Sequence, residues 1–347
     1  MKTNKFLSRI TILMLLLAIL LTGCGIGGSS STNPQTLAPS GDKGYTAAAI
    51  RVAIQPSAAF VPIYLLKDNG WLEEEAAKLG VKVEWSEFVS GPPMNESFAA
   101  GHQDIGFIGD VPTVSAIFAG QKNTVIGTAA YGEAGYAVLI PQDSTITDPE
   151  DLRGKKFGLT IGSTAHNIVA KYLKQGGIDI NKDVEIVNLT VGDLSTALTN
   201  KQIDAAAVWE PSITRLTESG AAKILADGAG FHRGTNTIFS TTAFATANPK
   251  LVQLLLEQYA RAAQALKANP VTEAAKVAEA YSLTPEQLAK VVDKYIYSVE
   301  IDPADTECLR QTTDFLRDIG VVTDDKFDIA DYVDPSYAKD ANLEQYK

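Results

Sequence analysis

The chain has 347 residues, 45% of them hydrophobic, which is enough material for the cores of two domains. Its formal net charge of −11 argues against nucleic acid or an anionic membrane surface as partner. An anionic ligand would have to be drawn by local dipoles, not by the field of the whole molecule.

Met1-Lys2-Thr3-Asn4-Lys5, with Arg9 close behind, precedes an apolar run from Ile10 to Leu21 and then Leu21-Thr22-Gly23-Cys24. A basic start, a short apolar stretch and small residues before a cysteine predict an export signal over 1–23, too short for a stable membrane span. Leu-Thr-Gly-Cys also resembles the bacterial lipobox, which implies cleavage before Cys24 and a diacylglycerol on its sulfur. Loss of Lys2, Lys5 and Arg9 would take the net charge from −11 to −14. Cys308 is then the only other cysteine, so a packed core rather than an intrachain disulfide must supply stability. Residues 24–48, rich in Gly, Ser, Thr and Pro, read as a flexible tether. Gly23 to Gly28 fits G-x-G-x-x-G, but no strand precedes it and no amphipathic helix follows, so it is not a dinucleotide loop.

From Ile50 the pattern is strand, turn, helix, repeated. Ile50 to Gln55 predicts a first strand, Pro56 to Phe60 a turn, and Val61 to Asn69 and Trp71 to Leu79 two helical pieces. Val81 to Trp85 alternates as a strand, Ser90-Gly91-Pro92-Pro93 breaks the chain, and Met94 to Gly101 is helical. Asp104 to Ile108 is a buried strand, Gly109-Asp110-Val111-Pro112 opens a helix through Phe118, and Asn123 to Ala129 is a strand. Tyr136 to Pro141 is apolar and extended, and then the pattern restarts. Asp148 to Gly154 is a short capped helix, Phe157 to Ile161 a strand, Gly162 a tight turn. Ser163 or Thr164 caps a helix with Ile168, Val169 and Tyr172 on one side. Val184 to Leu189, Ile203 to Val208 and Ala222 to Ala226 are strands, with helices at Asp193 to Asn200 and Pro211 to Ser219. Thr237 to Ala245 is extended and crosses back. Helices follow at Pro249 to Ala268, Val271 to Tyr281, Pro285 to Tyr295 and Pro303 to Ile319, and a polar tail from Asp324 wraps the surface.

This predicts an α/β protein of two lobes joined by two extended crossovers: 49–138 with 241–347 as lobe 1, and 139–240 as lobe 2. Ligands of open α/β sheets sit beyond the carboxyl ends of the strands, so the turns after them should face each other across one cleft. A strand that stops in Gly-Ser-Thr and restarts as a helix aims unpaired N–H groups, hydroxyls and a helix dipole at one spot, which suits an anion.

Several segments carry a family resemblance. Val83-Glu84-Trp85-Ser86-Glu87-Phe88 with Ser90-Gly91-Pro92, then Asp104 to Pro112, then Asp151-Leu152-Arg153-Gly154-Lys155-Lys156 with Gly162 to His166, then Val208-Trp209-Glu210-Pro211 occur in this order. Together they resemble the aliphatic-sulfonate-binding receptors of nitrate/sulfonate/taurine ABC importers, over roughly Ile50 to Val322. The resemblance implies a type II periplasmic-binding-protein fold, lobe closure around a small oxyanion, and delivery to a membrane permease. Gln55 to Pro62 looks more like the broader nitrate/taurine relatives, and Glu210 stands where family members often have Asp.

From Trp85 through Gln121 and from Phe157 through Ala170 there is no Lys or Arg, only His102 and His166. Neutral donors suit a fully ionised sulfonate, whereas a phosphonate usually calls for Arg or Lys. Ser90, Ser163 and Thr164 are the leading oxyanion donors, or else plain helix caps. Gln55 offers an amide at the end of the first strand. Gly109 allows close backbone approach, and Asp110 caps the next helix unless the ligand brings an ammonium. His166 is either a neutral donor or a structural histidine. Trp209 covers the organic part of the ligand or packs in the core. Glu210 meets an amino group such as that of taurine, or makes a hinge or inter-lobe hydrogen bond; Tyr131 and Glu133 are weaker candidates of the same kind. No catalytic motif or metal-ligand spacing occurs, so neither enzyme chemistry, a cofactor nor a metal is expected. The expected protein is an exported, lipid-anchored, monomeric receptor that binds an alkanesulfonate or taurine-like solute and docks on an ABC permease. Nitrate or another small organic anion is the rival ligand, and an exported enzyme acting on a small anion the rival class.

Overall fold

The computed structural model describes residues 43–346. The predicted export signal, Cys24 and most of the predicted tether lie outside the described residues. The end of that tether is no linker. Tyr45 donates its hydroxyl to the Leu79 carbonyl at 2.9 Å, and the Thr46 and Ala47 amides both donate to Asn248 Oδ1 at 2.8 Å. Residues 45–48 therefore belong to the fold, and the expected tether boundary at 48 is too late.

Strand β1 (Ala49–Ile54) leads through a 3-10 turn (Ala58–Phe60) to α1 (Val61–Asp68) and α2 (Trp71–Lys78). Then come β2 (Lys82–Glu87), α3 (Gly91–Ala99), β3 (Ile105–Gly109), α4 (Asp110–Phe118) and β4 (Asn123–Tyr131). A second series follows: β5 (Tyr136–Pro141), β6 (Lys156–Leu159), α5 (Thr164–Gln175), β7 (Glu185–Asn188), α6 (Val191–Thr199), β8 (Ala205–Trp209), α7 (Ser212–Glu218) and β9 (Ala222–Asp227). The chain returns through β10 (Asn236–Thr241), α8 (Thr242–Ala247), α9 (Pro249–Ala268), α10 (Pro270–Val277), α11 (Pro285–Val292), the short strand β11 (Ile296–Tyr297), α12 (Pro303–Asp318) and α13 (Ser336–Asp340).

These strands form two sheets, β11-β4-β10-β3-β1-β2 and β7-β6-β8-β5-β9. In the first, β1 pairs parallel with β2 and β3, while β10 runs antiparallel to β3 and β4. In the second, β6 pairs parallel with β7 and β8, while β5 runs antiparallel to β8 and β9. Each sheet thus carries, inserted antiparallel, the strand that a crossover delivers. Every residue of β3 and β8 is buried, as expected of inner strands covered on both faces by helices. Large side chains lock each half: Phe107, Tyr259 and Tyr281 are fully enclosed in the first, Phe157, Val169 and Leu173 in the second.

Several boundaries differ from the sequence reading, each for a local reason. Strand β5 lies wholly in the second sheet and β10 wholly in the first, so the crossovers fall at about 132–135 and 228–235 instead of 138/139 and 240/241. The expected break at Ser90 to Pro93 is a helix start. Both prolines sit in the first turn of α3, where an N–H would have had no intrahelical partner. The expected extended run to Ala245 ends at Thr241, whose hydroxyl caps the Phe244 amide and begins α8. Helix α11 stops at Val292, and Ile296 and Tyr297 pair with Tyr131 and Ala130 as an edge strand. The tail from Asp324 does run over the first half, but it anchors there through buried Ile329, Ala338 and Leu343.

Candidate functional site

Between the two sheets lies a narrow pocket with about 320 Å³ of empty volume. Helix N-termini build most of it. Ser57 is the N-cap of the 3-10 turn, Gly91 the first residue of α3, Gly109 the N-cap of α4 and Ser163 the N-cap of α5, and all four line the pocket. Each N-terminus leaves backbone N–H groups without helical partners and carries the positive end of a dipole. Gln55 adds an amide at the end of β1, Asn236 another at the start of β10, and Phe60, Pro112, Tyr136 and Trp209 supply apolar surface. All 11 lining residues are uncharged. Tyr136 donates its hydroxyl to Asn236 Oδ1 at 3.2 Å, which ties the first strand of one sheet to the crossover strand of the other.

The Ser163 hydroxyl is buried and has no hydrogen-bond partner. Ser163 has the extended conformation of an N-cap, yet its side chain does not bond the helix. A buried hydroxyl left unpaired costs about 1–3 kcal/mol, and this one lies among the pocket-lining residues. Thr164 is different: its hydroxyl donates to Asp110 Oδ1 at 2.6 Å. That bond joins the N-terminus of α5 to that of α4 across the pocket floor. Gly109 makes the approach possible, since a Cβ there would lie 2.4 Å from Thr164 Oγ1. Gly109→Ala is therefore expected to force the two termini apart and to weaken ligand binding at least tenfold, by calorimetry, while the protein still folds.

Asp110 is fully buried, and both its oxygens accept hydrogen bonds. Oδ2 accepts from His232 Nε2 at 2.5 Å and from the Thr312 hydroxyl, and Oδ1 from Thr164. Burial alone would raise this carboxyl; the His232 charge and hydrogen bond, with the Thr164 and Thr312 hydroxyls, outweigh it and hold it below its ordinary value. Burial likewise opposes the charge on His232, but Asp110, helped by Cys308, raises it to about 9. Lys171 Nζ lies 3.0 Å from the other ring nitrogen of His232, and burial lowers its affinity for a proton. Cys308 also faces His232, and ligand atoms of Asp110, His232 and Cys308 lie within 4.8 Å of one another.

Of the residues singled out in the sequence, Gln55, Gly109, Ser163, Thr164 and Trp209 line the pocket. Ser90 does not; it is the buried N-cap of α3, and its neighbour Gly91 takes the lining position. Asp110 braces the floor. His166 is turned to the edge of the Phe315 ring on α12, with centroids 5.2 Å apart, and burial lowers it to about 4, so it is neutral. Glu210 corrects its ligand reading most clearly. It is fully buried, forms an ion pair with Lys294, and accepts from the Thr214 amide at 3.1 Å and hydroxyl at 3.0 Å. Its charge is already matched by the Lys294 ammonium, so the carboxylate serves as a contact between the two sheets' halves. Tyr131 stacks under the Arg233 guanidinium at 3.6 Å and Glu133 accepts from the Gly230 amide at 2.9 Å, so both hold the crossover. The sequence reading put Ser57 and Gly91 only within turns facing the cleft, without naming them as site residues, and missed Phe60, Pro112, Tyr136 and Asn236. A signal existed for Ser57, a hydroxyl just past the first strand, and none short of the fold for Tyr136 and Asn236, which start strands of different sheets.

Residues 57–273 match the NMT1/THI5-like family. A Bacillus subtilis (strain 168) protein, provisionally named an aliphatic sulfonates-binding protein, is 31% identical over 96% of this chain and 97% of its own. The taurine-binding periplasmic protein of Escherichia coli (strain K12) is 28% identical over 65% of this chain and 69% of its own. The alkanesulfonate-binding protein of Xanthomonas axonopodis pv. citri bound to MOPS superposes with a TM-score of 0.76. It covers 82% of this chain and 98% of that one at 24% identity, and so shows the same periplasmic-binding-protein fold.

Proposed function

The chain belongs to the NMT1/THI5-like family, and on that premise we propose that it is the solute-binding receptor of an ABC importer whose ligand is an organic sulfonate. One observation carries the ligand class: helix N-termini converge on a pocket with no charged lining residue, and the Ser163 hydroxyl there has no protein partner. A sulfonate is ionised at any physiological pH and offers three acceptor oxygens and no proton. N–H and O–H donors match it without a counter-cation, whereas a phosphonate dianion would leave charge unpaired. Ser163, the Gln55 amide and the N–H groups at the starts of α3, α4 and α5 hold the oxyanion; Phe60, Tyr136 and Trp209 enclose the first carbons.

The carboxylates nearest the pocket, Asp110 and Glu210, are both spent on protein partners, so a sulfonate without an ammonium fits better than taurine. In this reading the two sheets are the halves of a clamp, with lobe 1 from the chain ends and lobe 2 from the middle. The protein is exported, Cys24 carries the lipid that keeps it at the membrane, and a monomer delivers the solute to the permease.

Titration calorimetry with ethanesulfonate, taurine, nitrate and sulfate tests the ligand class; heat from nitrate and none from any organic sulfonate would overturn it. Ser163→Ala is expected to weaken ethanesulfonate about tenfold or more, the worth of one hydrogen bond to a charged group. An unchanged affinity would remove Ser163 from the site.

A further inference from the structure

A second and larger cleft is lined by α5, by the turn over 177–182 and by α12. It has about 1600 Å³ of empty volume, open to solvent, against about 320 Å³ for the first pocket, and the two share no lining residue. Part of its wall is apolar. Ile178, Ile180 and Phe315 are buried core residues that also line this cleft, and half-buried Phe231 and Ile319 join them. Charge on the same lining is unevenly matched. Lys174 pairs with Asp318 at 3.4 Å and Lys182 with Asp179 at 2.8 Å. Asp314, the third lining carboxylate, pairs with Arg317 at 2.9 Å. Lys171, the third lining cation, belongs to none of these pairs. Its Nζ lies 3.3 Å from the Phe231 carbonyl and 3.0 Å from His232 Nδ1, and Asp110, on the other side of His232, acts on it at longer range.

We infer that this cleft is a second ligand site, for a small organic anion with an apolar body, whose head group pairs with Lys171 and whose hydrocarbon part lies on Phe231, Phe315 and Ile319. The ligand class follows from the lining. Binding clefts are mostly apolar, with a few polar groups that fix orientation, and here the lining carboxylates are engaged while one ammonium still lacks an anionic partner. A neutral solute would leave that charge unmatched, and an inorganic anion would leave the apolar wall wet. The site goes beyond the sulfonate reading of the first pocket and does not depend on it.

Octanoate is the probe, with octanamide and butanoate as controls, in calorimetry on the full chain. Octanoate should bind. Octanamide should bind at least tenfold more weakly because it lacks the charge, and butanoate at least tenfold more weakly because it lacks four methylenes. Lys171→Met should weaken octanoate at least tenfold and leave octanamide within about twofold. Hydrogen exchange of the unaltered protein locates the ligand even if that variant does not fold: octanoate should slow the amides of the 176–183 turn and of the end of α12. Slowed exchange at 55–60, 109–112 and 162–166 instead would put octanoate in the first pocket and overturn the second site. So would an absence of heat from octanoate, an equal affinity for either control, or a folded Lys171→Met variant that binds octanoate normally. None of these outcomes depends on whether ethanesulfonate binds, so the two readings fail separately.

Discussion

Replacing His232 by alanine is expected to cost about 4 kcal/mol of stability at neutral pH, the largest loss from any single site. Asp110 would keep its charge in a fully enclosed position with the Thr164 and Thr312 hydroxyls as its remaining hydrogen-bond donors and only the more distant Lys171 charge acting on it. Removing one member of a buried pair leaves the other uncompensated, which is far worse than removing both. Adding Asp110→Asn to the same variant should therefore recover part of the loss, and urea denaturation of the four proteins in the cycle measures it.

The pH dependence gives a second readout. The folded-state value for His232 is about 9, against an ordinary 6.5. Its contribution is complete below about 6.5 and is lost as pH rises through 9. Asp110 has the opposite sign: held below its ordinary value, it contributes above the usual carboxylate range and loses that contribution as pH falls. The unaltered protein should thus show an alkaline decline in stability that His232→Ala lacks. Equal declines in both would mean that the pair is not the cause.

Lys294→Met is the second large effect, about 3 kcal/mol by urea midpoint at unchanged m-value. Methionine keeps the aliphatic stem of lysine and removes only the charge. Glu210 would then sit fully buried with the Thr214 amide and hydroxyl as its only remaining donors. The consequences extend to the ligand, because the Glu210 carbonyl accepts from the Ala58 amide at 3.1 Å, beside pocket residue Ser57. Loss of the ion pair should loosen that edge and weaken sulfonate binding as well as stability. A midpoint shift worth less than about 0.5 kcal/mol would show that Lys294 does not compensate Glu210.

Much of the architecture was legible because its punctuation is local. Pro56-Ser57, Ser90-Gly91, Gly109-Asp110 and Gly162-Ser163 each mark a strand end followed by a helix start, and the structure brings all four to one place. The roles of charged residues were less legible. Nothing near Asp110 announces His232, 122 residues away, or Thr312, 202 residues away. Glu210 reads equally as an ammonium partner or an inter-lobe contact until Lys294, 84 residues on, is packed against it. Between the two readings of His166, geometry favours the structural one. It lies three residues after Ser163, but the helix turns its ring toward Phe315 on α12, and only the packed structure reveals that neighbour.

A recognition site assembled from backbone dipoles has a consequence for how capture responds to the medium. Sites built on lysine or arginine lose affinity and association rate as ionic strength rises, since mobile ions screen exposed cations over about 8 Å at physiological salt. Here the attraction is short-ranged and enclosed, while the chain carries a net charge of −11, more negative still without its first 23 residues, that repels an approaching anion. Added salt screens that repulsion and leaves the enclosed contacts almost untouched. Uptake through such a receptor would hold steady, or quicken slightly, in brine.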